Sequence, residues 1–535
     1  MAFPSPLFLT AHELSAQLST KQTTSVKLVG AFLDQIERHN HNGKKLNALI
    51  AVAPRDVALR RAAELDEERE SDHVRSPLHG IPIIVKDTFV TDPALGMPTS
   101  AGAPVFAGLT AKKNAVLIDR LLDSGLIVLG KGNMTEYCGM KSNDTPVGWS
   151  AQGGLTLSAY RQDHLDDNDQ PTAAGSSNGP TVSVSAGFAP LAVGTETSGS
   201  AVYPASVNGV YGLKLSFGSV PLDGVCKLSA SFDHIGVFAR DPIDLVPLVG
   251  ILMGDSSKEA NLQDEIGKGF DGLSVGVVPN TWGVQESVAK EKWDMPDMVR
   301  MYFRLNFRDE FLIEMSQRNA YERSVQKLTT RGARTVYPLE VEKPEYVLKY
   351  NGETLKSVAY AEFPKNIEEF FTCFQPVPGL SSLQDVIAWN EQHPDVALPK
   401  RKFPSQVAID SKILTTHTAY TTQTELIAAA ESSMTQQAQT EIAAHLHRLA
   451  TCEGIGKVMD DKGLDIVLSN SDATLVHYAS CAGWPVAAVP VGRMAKNGQP
   501  YGMFALARGG REHVLLRFMK AWDEDFGRCE APVMS

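Results

Sequence analysis

An α/β fold is what this chain predicts, and three observations carry the prediction. Short apolar runs alternate with amphipathic segments, as at Ile83–Val85, Val116–Ser124 and Leu126–Leu129. Alternation of this kind favours a mostly parallel sheet covered by helices. The 535 residues are 43% hydrophobic and 21% charged, enough apolar material for a large core. No linker, internal repeat or low-complexity tract interrupts them, so one large domain over residues 1–535 is expected.

The elements follow in order. Thr10 and Glu13 form a Thr-x-x-Glu capping box at the start of a first helix. Ser25 is expected to cap a second helix over Val26–His39, and a third covers Arg55–Glu70. These make up an N-terminal helical segment, residues 1–72. A core over residues 73–280 holds the strand and helix signals just named, a strand at Leu191–Val193 and a helix beyond Asp241. It ends near a strand at Leu273–Val278. Residues 281–462 are less regular: a long charged helical stretch over Lys290–Arg331, then a region from Lys343 rich in Pro, Glu and aromatic residues. Strand signals return at Leu464–Leu468 and Val486–Val491, and a helix over Glu512–Phe526 closes the C-terminal segment, residues 463–535.

A net charge of −12 counts against a nucleic-acid partner. No run approaches the roughly 18 apolar residues of a membrane span, and the N-terminus lacks a basic n-region. The six scattered cysteines form no Cys-x-x-Cys pair and no zinc spacing, which reads as free thiols in a reducing compartment. A cytoplasmic protein without a membrane partner is expected.

Several motifs have bland readings. Gly125 to Lys131 fits phosphate-loop spacing, but Gly132 stands where Ser or Thr belongs, and the intervening residues read as a strand. Gly175 to Gly179 fits Gly-x-Ser-x-Gly with Ser177 central, yet loop residues precede it instead of the strand that a nucleophile elbow needs. Asp163, Asp166, Asp167 and Asp169 lack the glycine and terminal glutamate of a calcium loop. His39 with His41 and His445 with His447 have i, i+2 spacing and read as surface residues.

One stretch resists such readings. From Pro171 to Pro204 small residues dominate, with Ser176 in Gly-Ser-Ser-Asn-Gly and Ser200 closing Gly-Thr-Glu-Thr-Ser-Gly-Ser. Glycine and serine bury little and form poor helix or sheet, so such a stretch suits a backbone that approaches a ligand. The amides between Glu196 and Ser200 could line an oxyanion pocket at the start of a helix beyond Ala201. A serine hydroxyl needs a base, and a buried lysine can supply one when desolvation leaves it neutral. Lys86 ends the apolar run Ile81–Val85. An ion pair with Asp87 is an equally good local reading of it.

Together these motifs resemble the amidase signature family. Lys86 in Gly-Ile-Pro-Ile-Ile-Val-Lys-Asp matches the family's general base, Ser176 its bridging serine and Ser200 its nucleophile. The resemblance extends to Lys131-Gly-Asn-Met-Thr-Glu136, Ser231 to Arg240 and Ala482 to Val491, and Gly148-Trp-Ser150 is similar to a fungal branch. It implies a large twisted mixed β-sheet sandwiched between layers of α-helices. It implies an amidase that hydrolyses a small-molecule carboxamide through an acyl-enzyme, with no cofactor. Thr197, Ser198 and Gly199 would form the oxyanion hole, and Met134 and Thr195 would face the substrate. Homodimers are common in the family. An acyltransferase of specialised metabolism, a glutamyl-tRNA amidotransferase A-type subunit and a non-catalytic binding protein on the same scaffold are the rival readings. The chain departs from the family pattern at Asn178, Glu196, Ser198, Val202 and Leu215.

Overall fold

Eleven strands hydrogen-bond into one sheet across the described part of the chain. The structure is a computed structural model that describes residues 6–167, 169–254, 265–279, 282, 310–402 and 418–534. In chain order the strands are β1 Leu49–Val52, β2 Pro82–Lys86, β3 Ile127–Gly132, β4 Leu191–Glu196, β5 Tyr211–Lys214 and β6 His234–Ala239. They continue as β7 Ser274–Val277, β8 Arg334–Val336, β9 Ile466–Asn470, β10 Val486–Arg493 and β11 Pro500–Ala507. Their order across the sheet is β1-β3-β2-β4-β6-β5-β10-β11-β9-β7-β8.

Every residue of β2, β3, β4, β5 and β6 is buried, as expected of strands covered on both faces. The expected parallel character holds only locally. β2 runs parallel to β3 and β4, and β7 runs parallel to β8 and β9. The other neighbouring pairs are antiparallel. Antiparallel neighbours need only a tight connection. β10 and β11 supply an example, with Met494 donating its amide to the Gln499 carbonyl at 2.8 Å in the turn between them. The sheet is therefore mixed.

The N-terminal helices form almost as read. Helix α1, Ala11–Ser19, carries the full capping box: Glu13 donates its amide to Thr10 Oγ1 at 3.0 Å, and the Thr10 amide donates to Glu13 Oε2 at 2.8 Å. Helix α2, Ser25–His39, starts one residue earlier than expected, because Thr24 and not Ser25 is the cap. The Ser25 amide donates instead to Asp66 of α3, Arg55–Glu70. His39 also departs from the surface reading: it is 2% exposed, on the face of α2 that packs inward. A short helix, α4 over Val202–Val207, follows β4 after a tight loop.

The long charged stretch is helical from Glu310 to Thr330, while its first part lies outside the described residues. The region beyond Lys343, rich in Pro, Glu and aromatic residues, contains α5 over Leu355–Phe371 and α6 over Leu383–Gln392. Phe363, Ile367, Phe370 and Leu383 there join Phe106 and Tyr137 in an apolar cluster separate from the main core. Phe106 meets Phe370 edge-on at 5.0 Å. This second cluster fastens the region to the loops around β2 and β3. All six cysteines are free thiols. Among the described residues no helix is long and apolar enough to cross a membrane.

Candidate active site

β2 places Lys86 at its C-terminal end, fully buried. Successive strand residues point to opposite faces, so Lys86 and Asp87 cannot share a partner easily. The Asp87 carboxylate turns to Lys131 at 3.3 Å and accepts the amides of Ser100 and Gly102. The local ion pair between Lys86 and Asp87 is thus absent, because Lys131 on the neighbouring strand occupies the carboxylate.

Lys86 faces hydroxyls instead. Its Nζ lies 2.8 Å from Ser176 Oγ and 2.8 Å from Thr195 Oγ1, with the Thr195 carbonyl at 3.4 Å and Cys138 Sγ at 3.5 Å. Among the described residues no carboxylate pairs with it, and desolvation pushes its pKa below the ordinary lysine value. Burial penalises the ammonium and favours the neutral amine. A neutral amine can take a proton.

Ser176 follows a cis Gly175–Ser176 peptide bond and is fully buried. Its carbonyl accepts the Thr135 amide at 3.2 Å. The neighbouring Ser177 turns the other way: its hydroxyl donates to the Thr195 carbonyl at 3.0 Å. Its amide donates to the Ser200 carbonyl at 3.0 Å, which ties the two serine segments together. Ser177 is packed against β4, and a Cβ on Gly194 would stand 2.6 Å from its Oγ. Asn178, where the family favours glycine, donates to Thr156 Oγ1 at 2.7 Å and the Gly148 carbonyl at 3.2 Å. That side chain anchors the loop behind the site.

Past β4 the loop at residues 197–201 leads into α4. The Glu196 carboxylate accepts the amides of Ala201 at 2.8 Å and Val202 at 3.0 Å. It satisfies donors that a helix start leaves open. Gly199 has φ +84°, and a Cβ there would lie 2.2 Å from the Tyr203 ring, so only glycine fits. Thr197 donates its hydroxyl to Asp233 Oδ1 at 2.5 Å. Burial pushes the Asp233 carboxyl up to about 6, opposed by that hydrogen bond. The amides of Ser198, Gly199 and Ser200 find no backbone or side-chain acceptor among the described residues. Ser200 itself is 5% exposed.

Lys86, Ser176 and the Ser200 segment therefore come together, with Thr197, Ser198 and Gly199 on the loop between β4 and α4. Thr195, expected to face the substrate, is buried, and its hydroxyl accepts Lys86 Nζ at 2.8 Å. Met134, given the same expectation, is fully buried, its amide donating to Asn133 Oδ1 at 2.8 Å. Ser198 Oγ is buried and has no partner among the described residues. Sequence reasoning missed Cys138, which a short helical turn with left-handed φ at Tyr137 and Cys138 delivers to Lys86. Nothing in a lone cysteine marks it; its place two residues past Glu136 was the available hint.

Comparisons with known proteins give the family. The sequence model of the amidase family matches residues 27–516. A Schizosaccharomyces pombe protein provisionally named an amidase is 26% identical over 536 aligned positions, covering 96% of this chain and 85% of that protein. The A-type subunit of the glutamyl-tRNA(Gln) amidotransferase from Tropheryma whipplei is 32% identical over 285 residues, covering 51% of each chain. Among solved structures, the peptide amidase from Stenotrophomonas maltophilia superposes with a TM-score of 0.79 at 27% identity and covers 98% of both chains. With its mixed sheet, its buried lysine beside a serine and a family match over most of its length, the chain belongs to the amidase family.

Proposed function

We propose that this protein hydrolyses a small-molecule carboxamide through an acyl-enzyme on Ser200. The observation that carries the reading is Lys86: a buried amine with no carboxylate partner among the described residues, 2.8 Å from Ser176 Oγ. Ser200 Oγ attacks the amide carbonyl carbon while its proton passes to Ser176 and the Ser176 proton passes to Lys86. The carbonyl π electrons move onto oxygen, and the amides of Thr197, Ser198, Gly199 and Ser200 stabilise that oxyanion. As the C–N bond breaks, the same relay returns a proton to the leaving amine. Water then attacks the ester, releases the carboxylate and restores Ser200.

The family match over residues 27–516 supports a hydrolase acting on carbon–nitrogen bonds, and linear amides are the substrates proposed. The amidotransferase-subunit reading draws on a match to half of the chain. An acyltransferase would pass the same acyl group to an amine instead of water. The test incubates purified protein with aryl, fatty, amino-acid and peptide amides and follows ammonia, amine and acyl products by mass spectrometry. Carboxylate from wild-type protein, absent with Ser200→Ala, supports hydrolysis. Amide products formed only when a second amine is added favour the transferase, and no turnover of any amide contradicts both.

A further inference from the structure

We propose that Glu362, far from Ser200 in sequence, is a positioning residue for the oxyanion loop; this rests on the acyl-enzyme reading above. Glu362 sits on α5, in the region rich in Pro, Glu and aromatic residues. Its carboxylate accepts the Ser229 hydroxyl at 2.5 Å, the Ser231 hydroxyl at 2.5 Å and the Ser231 amide at 3.2 Å. The same helix holds this loop at two further points. Asn366 donates to the Leu228 carbonyl at 3.2 Å, and Glu369 accepts Lys227 Nζ at 2.6 Å.

The gripped loop leads to Asp233. The Leu228 amide donates to Asp233 Oδ2 at 2.7 Å, and the Asp233 amide donates to the Ser229 carbonyl at 3.1 Å. Asp233 Oδ1 in turn accepts the Thr197 hydroxyl at 2.5 Å. Thr197 is the first residue of the oxyanion loop and leads directly to Ser198. Ser229 is fully buried, and Asp233 and Thr197 are buried too, so water cannot easily replace these partners. A continuous set of hydrogen bonds thus runs from α5 through residues 228–233 to the loop.

The arrangement has a physical purpose under the proposed chemistry. Oxyanion donors act only when they are held before charge develops. The amides of Ser198 and Gly199 have no acceptor among the described residues; the Gly199 and Ser200 carbonyls accept the Tyr203 and Ser177 amides, which leaves the Ser198 side of the loop to be set by what fixes Thr197. Glu196 fixes the end at α4. Asp233 fixes the end at Thr197, and Glu362 keeps the Asp233 loop in register. The region that contains α5 therefore shapes the reaction centre as well as packing beside it.

The test measures the second-order rate of Ser200 phosphonylation by a fluorophosphonate, whose phosphoryl oxygen occupies the oxyanion position. Wild-type protein is compared with Glu362→Ala, Glu362→Gln and the double variant Ser229→Ala/Ser231→Ala, with thermal unfolding recorded for each. Removing one oxyanion donor outright costs about 10²–10³ in rate, so an indirect loss of positioning is expected near about tenfold. The expected result is that loss in Glu362→Ala and in the double variant, with partial recovery in Glu362→Gln, which keeps one acceptor oxygen. For an amide substrate the loss should fall on kcat and leave KM within about twofold. Should Glu362→Ala not fold, the double variant, which leaves α5 intact, carries the result. Unchanged labelling in the double variant overturns the role of Glu362 and leaves the Ser200 chemistry standing. Absence of a Ser200 adduct in wild-type protein overturns that chemistry and this proposal with it.

Discussion

Lys86 and the loop at residues 197–200 stand beside neighbouring strands, yet they are held by different means. The Lys86 corner is closed: Nζ is surrounded by the hydroxyls of Ser176 and Thr195, a carbonyl and the Cys138 thiol, all buried. The loop keeps its amides free while its carbonyls are held, Gly199 by the Tyr203 amide and Ser200 by the Ser177 amide, and its ends are fixed by Glu196 on one side and Asp233 on the other. The difference follows from what each must do. A base must stay uncharged, so its hydrogen-bond partners among the described residues include no carboxylate, and desolvation outweighs the pull of Asp233. An anion site must keep donors unsatisfied, so the groups that hold it act on neighbouring residues.

Removing the two reacting side chains puts this contrast under the greatest strain. Lys86→Ala and Ser200→Ala should each lower kcat/KM at least about a hundredfold, while the unfolding temperature shows whether the protein is intact. A Lys86→Ala variant with near wild-type turnover would strip Lys86 of its role as base. The pH profile of wild-type kcat/KM tests the same corner. Lys86 must be neutral to accept a proton, so activity falls as pH drops through its folded pKa, which burial lowers. A profile that rises on acidification would contradict it.

Smaller effects separate the supports. Glu196→Ala strips two buried amides of their acceptor and should destabilise the fold by about 1–3 kcal/mol, measured by thermal or urea unfolding. Thr195→Val keeps the shape but removes one of the neutral partners of Lys86; about tenfold lower kcat is expected, with KM little changed. Cys138→Ala removes the longest contact, 3.5 Å, and with it a group that holds the Lys86 pKa up, so the acid limb of the pH profile should move to lower pH. If Cys138→Ala proved as damaging as Lys86→Ala, the thiol would belong to the chemistry itself.

Much of this was legible in the residues. The buried strands announced themselves as continuous apolar runs, and β3 at Ile127–Gly132 disposed of the phosphate-loop reading. α3 and the closing helix Glu512–Phe526 match their expected spans. The exchange of partners at Lys86 and Asp87 was less legible, because it depends on Lys131 arriving from another strand. Strand alternation gave the direction of each side chain but not what would meet it. The cap of α2 moved by one residue because Thr24 and Ser25 are both capping types, and Asp66 claims the Ser25 amide. Glu362 had no sequence signal at all. Its helix contains Pro364, and its partners lie more than a hundred residues away.

The proposed reaction requires that Ser200, served by Ser176 and Lys86, be the residue acylated. Peptide mapping of the fluorophosphonate adduct by mass spectrometry tests it directly. A single adduct on Ser200, lost in Ser200→Ala, is the result expected. An adduct on Ser177, whose hydroxyl donates to the Thr195 carbonyl, would contradict that assignment.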